Sequence, residues 1–494
     1  MLIFCVVVYM IATVAIGVYA SRRISGSKDF MVAGRSLPLY MNFACVFATW
    51  FGAETLLSVS AKFAHQGLGF ISGDPFGATV CLMLVAFLFA RTFYRMELLT
   101  IGDYYHKRFG KTVEVITSLA ISASYLGWTS AQLTALGLVI DVLFPSLGLT
   151  NSILLGSAMV TLYTLFGGMW SVALTDLLQT GAIIVGLIIV ALLLSHQAGG
   201  VNVVVQHAYE NGKLHLFPHI TTAATLTFVG EFITVAFGSI PQQDVFQRVT
   251  SAKDERTAFV GTLAGGLFYF IFAFVPMFIA YAAVVMEPNY AERFGGEDLQ
   301  QIQKILPDLI LNRTPIWCQV LFFGALLSAI LSTASGTMLA PASVFTENVL
   351  RPFIRYKSDR AMLIVLRTVL ISFAVAATLI ATNTKSTMYD MVQNSNNVTL
   401  TMAFIPLVLG IYWSRASTQG AIFSILLGAA AWLGTKIYLH IEESELWWRA
   451  MPPQLYGLAA SFLGMILGSM MPNWIKPSAA DPAELARPSP SLGH

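Results

Sequence analysis

Long apolar runs separated by short polar connections recur along the chain from its first residues to about position 472. Runs of this length can cross about 30 Å of hydrocarbon as helices, and the alternation of apolar and polar residues that marks a membrane barrel is absent. The pattern predicts helices near residues 2–21, 40–62, 69–94, 113–144, 152–166, 172–195, 222–247, 257–286, 316–350, 361–382, 388–413, 418–440 and 452–472. An open sheet would leave backbone groups unpaired in lipid, so the expected class is an all-α polytopic membrane protein with about thirteen transmembrane helices.

Composition agrees with the pattern. Charged residues make up 11% of the 494, against about 25% in an ordinary soluble domain. The net charge of +2 says little, because the placement of positive residues is what orients a membrane protein. Arg and Lys gather in alternate connections, at 22–35, 91–111, 248–256 and 351–360, while the others carry scattered positives such as Lys213 or Arg293. That asymmetry predicts a multi-pass protein of the plasma (inner) membrane, with its N-terminus outside and its C-terminus in the cytoplasm. The first apolar run ends in Arg22 and Arg23 without a small-residue cleavage site, so it reads as a retained helix.

The long connections, 196–221 and 287–315, fall on the outside, and the Pro/Ser/Ala-rich tail after Trp474 reads as disordered. No soluble catalytic domain fits into this arrangement. The histidines lie in loops, at helix ends and at the tail rather than in a cluster at membrane depth, and the four cysteines lack metal spacing. Transport is favoured over an enzyme. The expected partners are a small solute, an ion and the lipid bilayer, with no nucleic acid, and the expected state is a monomer or weak homo-oligomer.

Polar residues inside apolar helices are functional candidates by default. "VFATWFGAETLLSVSAKF" places Thr49, Gly52, Glu54 and Thr55 at the centre of the second helix, which suits a helix interrupted at mid-membrane. "GLGFISGDPFGATV" sets Asp74 before Pro75. "FVGEFITVAFGSIPQQDVFQR" carries Glu231 and then Gly238, Ser239 and Pro241, a second candidate break, with Gln242 and Gln243 beside it. "GALLSAILSTASGTMLA" lines up Ser328, Ser332, Thr333 and Ser335 as one polar stripe. Hydroxyls and carbonyls in such a stripe suit a hard cation such as sodium; helix packing with back-bonded hydroxyls is the alternative.

Three ordered segments resemble the sodium:solute symporters, the family of the proline, pantothenate, sialic acid, sugar and high-affinity choline transporters. They are "TLYTLFGGMWSVALTDLLQT", "SIPQQDVFQRVTSAKDERTA" and "LLSAILSTASGTMLAPASVFTENV". The resemblance implies a LeuT-type core of two inverted five-helix repeats, at residues 40–195 and 222–413. One helix and its loop (1–39) would precede this core, and two helices (414–474) would follow it. It implies that sodium is the coupling ion, held by the carbonyls of Ala48, Phe51 and Ala329 and the hydroxyls of Ser332 and Thr333. Asp176 and Ser335 match a second sodium site of some members, although Gly336 stands where the sialic acid branch has serine. A structural carboxylate is the other reading of Asp176.

The sialic acid branch has an arginine where this chain has Trp128, which argues against an anionic solute held in that way. Trp50 and Trp128 match two tryptophans of the choline branch, whose cage holds a cation through its ring faces. Gln242 and Ala78 depart from that cage. The expected solute-site residues are Trp50, Gly52, Glu54, Thr55, Asp74, Trp128, Gln132, Glu231 and Gln242. Glu54 or Asp74 could instead pair with Lys62, and Gln242 and Gln243 could cap freed backbone. The reading is a sodium-coupled symporter of a small polar solute, an organic cation or amine, working by alternating access. The rivals are the same fold carrying an amino acid, vitamin or monocarboxylate with sodium or protons, and a sensor or channel without coupled accumulation.

Overall fold

The computed structural model describes residues 1–20, 26–218, 221–287, 289–296, 299–351, 353–354, 358–441, 451–472 and 474–475. Arg22, Arg23, His219, Arg355, Lys357 and the tail beyond Ile475 therefore lie outside the described residues. Among the described residues no β-strand forms, and Leu37 and Ala252 make an isolated bridge.

Fourteen labels suffice for the membrane-length segments and their halves. They are α1 (Leu2–Ala20), α2 (Leu39–Trp50), α3 (Glu54–Gln66), α4 (Ser72–Arg95), α5 (Lys111–Leu143), α6 (Leu149–Gln197) and α7 (Thr222–Gly238). Then come α8 (Gln243–Thr250), α9 (Glu255–Met286), α10 (Ile316–Leu350), α11 (Asp359–Asn383), α12 (Met388–Tyr412), α13 (Thr418–Ile441) and α14 (Pro453–Met470). Eight of the described helices are long and apolar enough to cross a membrane, and ten are if the bent pairs α2/α3 and α7/α8 each count as one. The predicted spans 152–166 and 172–195 share α6, which kinks at Gly168 with φ 49° and ψ −150°. A Cβ at Gly168 would lie 2.6 Å from the Phe30 carbonyl oxygen, so glycine permits both the kink and the close approach of the short helix Ser27–Val32.

The long connections are not plain loops: they contain the helices Val201–Glu210, Asn289–Phe294 and Leu299–Arg313. They mark one end of the bundle, called here the long-connection end; the Arg/Lys-rich connections mark the basic end.

Burial separates scaffold from lipid face. α5 and α10 are enclosed on most sides, whereas α11 leaves Ile364, Ile371, Val375 and Leu379 exposed in a row, as a helix in contact with acyl chains does. α10 runs through the interior against α5, α6 and α2, and every residue from Ser332 to Val344 on it is buried. Small residues make this possible, because they let neighbouring backbones approach.

Candidate solute and sodium site

The first break sits where the sequence places it. α2 and α3 meet at 53°, and Phe51 between them has φ −85° and ψ 73°, outside the helical region. The Gly52 N–H turns back to the Trp50 carbonyl at 3.1 Å, and the Ala53 N–H donates to Gln132 Oε1 at 3.2 Å. In a continuous helix those two N–H groups would serve the carbonyls of Ala48 and Thr49. Both carbonyls are thus released, and both accept the Thr333 hydroxyl from α10, at 3.3 Å and 3.1 Å.

The rest of the hydroxyl stripe divides by partner. Ser328, Ser335 and Thr337 donate to carbonyls of their own helix, those of Gly324, Ser332 and Ala334, as the packing alternative requires. Ser332 reaches across to Asp176 Oδ1 at 2.5 Å, and Thr333 reaches the break. Ala329 lies fully buried one turn before Thr333. Among the expected sodium ligands, Ala48 and Thr333 meet at the break and Phe51 is its pivot, while Ser332 on the same turn of α10 faces Asp176 and Ala329 stands one turn earlier. The Thr49 carbonyl is an additional oxygen that the sequence analysis did not select.

The second break separates α7 from α8 at 44°. Here α12 supplies the missing partners. Asn396 Oδ1 accepts from Ser239 Oγ at 3.1 Å and Gln242 Nε2 at 2.6 Å, and the Thr399 hydroxyl donates to the Gly238 carbonyl at 2.5 Å. Gln243 points elsewhere: its Oε1 accepts the Ile101 N–H at 2.8 Å at the start of the helix Ile101–Phe109, so the capping alternative holds for it, at a different helix.

Between the two breaks lies a narrow cavity of about 20 Å³, bounded by Trp50, Trp128, Tyr269 and Tyr389, with Glu54 and Asp74 in its wall. Neither carboxylate pairs with Lys62. Glu54 accepts from Gln132 Nε2 at 2.5 Å and from Trp128 Nε1 at 3.3 Å. Asp74 accepts from the Thr55 hydroxyl at 2.9 Å and from the Tyr269 hydroxyl. Gln132 thereby does two jobs, capping the break with its oxygen and orienting Glu54 with its amide nitrogen. The rings of Trp50 and Trp128 sit 6.3 Å apart at 65°, and Tyr269 stands 6.5 Å from Trp50. No Lys, Arg or His is among the cavity's lining residues. Gly52 lies between the break and the cavity wall: a Cβ there would stand 2.6 Å from Glu54 Oε2 and 2.9 Å from the Thr333 hydroxyl.

Glu231 is not in that wall. It faces the long-connection end, where Lys62 Nζ lies 3.2 Å from its Oε1 and the Tyr389 hydroxyl donates to its Oε2 at 2.7 Å. Lys62 also covers the Tyr389 ring at 4.1 Å. Tyr389 borders the cavity on one side and two clefts, of about 280 and 450 Å³, on the other, so this triad forms a lid. Gln242 touches the cavity indirectly, through Asn396.

Sequence reasoning missed Tyr269, Tyr389 and Asn396. A lone tyrosine hydroxyl in "GGLFYFIF" and the polar run "QNSNNVT" within an otherwise apolar span were the available signals.

A profile of the sodium:solute symporter family matches residues 30–428. The chain belongs to the sodium:solute symporter family. It is a sodium-coupled membrane carrier of a small solute rather than an enzyme. Relatives of this symporter include the human high affinity choline transporter 1, which is 24% identical over 97% of this chain and 86% of that one. Another is the osmoregulated proline transporter OpuE of Bacillus subtilis (strain 168), 27% identical over 87% of this chain and 88% of the relative. Among solved structures, a Na+-coupled sialic acid symporter in a substrate-bound outward-open state is similar with a TM-score of 0.81 over 97% of this chain and 99% of that one, at 19% identity. MhsT in complex with L-phenylalanine gives 0.56 over 87% and 98%, at 14% identity. The symporter therefore has the LeuT-type fold of two inverted five-helix repeats.

Proposed function

We propose that this symporter imports a small organic amine together with sodium. The observation that carries this reading is the cavity wall, where two carboxylates and four aromatic rings meet with no cationic side chain among the lining residues. Ring faces attract a cation. Glu54 and Asp74 add acceptors for N–H groups, which favours a primary or secondary amine over a fully methylated one. Likeness to choline and proline transporters supports a solute bearing a quaternary or secondary ammonium nitrogen.

Sodium in this reading is held by Ala48, Phe51, Ala329, Ser332 and Thr333, and the solute by Trp50, Gly52, Glu54, Thr55, Asp74, Trp128 and Gln132. Glu231 and Gln242 act at the lid and through Asn396. Sodium bridging the broken helix to α10 stabilises the state that accepts solute, and by linkage the solute raises sodium affinity by the same factor. The shared wall at Gly52 gives that coupling a short path. The repeats span 40–195 and 222–413, with 1–39 before them, the outside connection 196–221 between them, the paired helices of 414–474 after them and a cytoplasmic tail at 475–494. The carrier works in the plasma (inner) membrane as a monomer or weak homo-oligomer without nucleic acid, with its N-terminus outside and the long-connection end facing outward.

The test is the melting temperature of the purified protein in sodium or potassium chloride, scanned with primary, secondary and quaternary amines, amino acids, carboxylates, sugars and vitamins. A ligand that binds only the folded state raises apparent stability by mass action. An amine that stabilises only in sodium supports the reading. A carboxylate or sugar that does so overturns the solute class, and proton-dependent stabilisation without a sodium effect overturns the coupling ion.

A further inference from the structure

At the long-connection end, the helix Val201–Glu210 lies over α9 and encloses an apolar cavity of about 150 Å³. Met277 and Phe278 of α9 form its floor, Phe63 of α3 its side wall, and Val204 and Ala208 its roof. An apolar cavity of about this size stays dry and binds an apolar molecule that can reach it. The Tyr281 hydroxyl at its rim is turned to His207, 3.1 Å from the ring Nδ1 and donating to the His207 carbonyl at 3.4 Å.

Two observations say what reaches it. Leu267 and Ile271 are exposed, and Phe274 and Phe278 are partly buried; the four form one row at helical spacing along α9, so the lipid-facing stripe runs on into the cavity floor. Glu255, paired with Arg95 at the basic end, sets the depth. At a rise of 1.5 Å per residue, Phe274 stands about 28 Å and Tyr281 about 39 Å beyond it, the level at which a hydrocarbon core of about 30 Å gives way to headgroups. The cavity therefore meets acyl chains at one end and the polar boundary, with Tyr281 and His207, at the other.

We infer that this cavity seats the acyl chain of a membrane phospholipid, which enters along the α9 stripe. The seat is tied to the lid. Phe63 adjoins Lys62, and the connection that roofs the cavity is strapped to the end of α3: the Leu68 N–H donates to the Lys213 carbonyl at 2.9 Å, and Lys213 Nζ donates to the His65 carbonyl. A seated chain fills the space beneath that strap and steadies the end of α3 that carries the lid lysine.

The test is photolabelling of the purified full-length protein in detergent, with phosphatidylethanolamine carrying a diazirine on an upper methylene of its acyl chain, followed by peptide mapping. Label is expected at residues 204–214 and 274–281, several-fold above that at 364–379, the plain lipid face of α11. Excess unlabelled phosphatidylethanolamine is expected to compete it away, and excess detergent is not. Val205→Trp and, independently, Leu214→Trp place a ring in the cavity from exposed positions on its lining. Each is expected to abolish the cavity labelling and leave that of α11. Phosphatidylethanolamine is also expected to raise the melting temperature of the wild type more than that of either variant. Wild-type labelling no higher than on α11 overturns the inference whatever the variants do. So does labelling that both folded variants retain, that detergent displaces equally well, or that comes with equal melting shifts in all three proteins. An unlabelled cavity in a protein that elutes as a dimer assigns it to a second copy of the chain and overturns the inference likewise.

Discussion

The Thr333 hydroxyl lies 3.3 Å from the carbonyl oxygen of Ala48, the first carbonyl that the break at Phe51 releases. One hydroxyl on α10 thus meets the backbone of a helix 285 positions earlier in the chain. Thr333→Val keeps the shape and removes the oxygen. Sodium affinity, read from the sodium dependence of the melting temperature, is expected to fall at least about tenfold, while stability in potassium falls by about 0.5–1.5 kcal/mol, the net worth of a hydrogen bond. Thr333→Ser is expected to keep sodium binding. Equal sodium response in wild type and Thr333→Val removes Thr333 from the site.

Gly52→Ala is expected to weaken sodium and solute binding together. The added methyl would stand 2.6 Å from Glu54 Oε2 and 2.9 Å from the Thr333 hydroxyl, so both must move. Gly324→Ala, also at the polar helix α10 but with open space around its Cβ, is the control. It is expected to be neutral or to stabilise by roughly 0.5–1 kcal/mol, the helix preference of alanine over glycine. Loss of only one of the two affinities in Gly52→Ala separates the sites.

Glu54→Gln keeps the side-chain volume and removes the charge. Hydrogen bonds to charged groups contribute about 1.5–3 kcal/mol, which corresponds to about 10- to 100-fold in amine affinity. Sodium-induced stabilisation without solute is expected to survive, since Glu54 is not among the sodium oxygens. Calorimetric titration with the amine found in the melting scan checks both parts, and unchanged amine affinity excludes Glu54 from recognition.

Breaking the lid is expected to open the cavity. The side chains of Lys62 and Glu231 are 24% and 23% exposed, so their ion pair is partly screened and its loss costs little stability. A cysteine at Ser239, in the cavity wall, is expected to react several-fold faster with a soluble thiol reagent when Glu231→Gln is added, in a background carrying Cys5→Ser. The charge exchange Lys62→Glu/Glu231→Lys is expected to slow the reaction again. Equal rates in all three proteins show that the triad does not close the path.

The sequence by itself determined the membrane helices, the two breaks and the family, because these are written locally. Apolar length sets a span, and glycine, proline and small polar residues at mid-span mark where the backbone hydrogen bonds fail. It also drew attention to the hydroxyl stripe, whose members differ in their partners: Ser335 and Thr337 bond back to their own helix, Ser328 does so and also meets the Tyr9 hydroxyl, while Ser332 and Thr333 reach away from it. Only the tertiary structure made that division, because residues one turn apart look alike until a neighbouring helix supplies a partner. The same holds for the charges. Lys62 could have joined Glu54 or Asp74, and the packing of α3 against α7 and α12 gave it Glu231. Arg248 resembled one more basic residue at the end of a span, and the crossing of α8 with α10 at Gly336 buried it beside Asp176. A buried charge is held by what surrounds it in three dimensions, and much of those surroundings, such as Glu231 for Lys62 or Asp176 and Thr49 for Arg248, comes from distant segments of the chain, so periodicity and motif spacing carry no record of it.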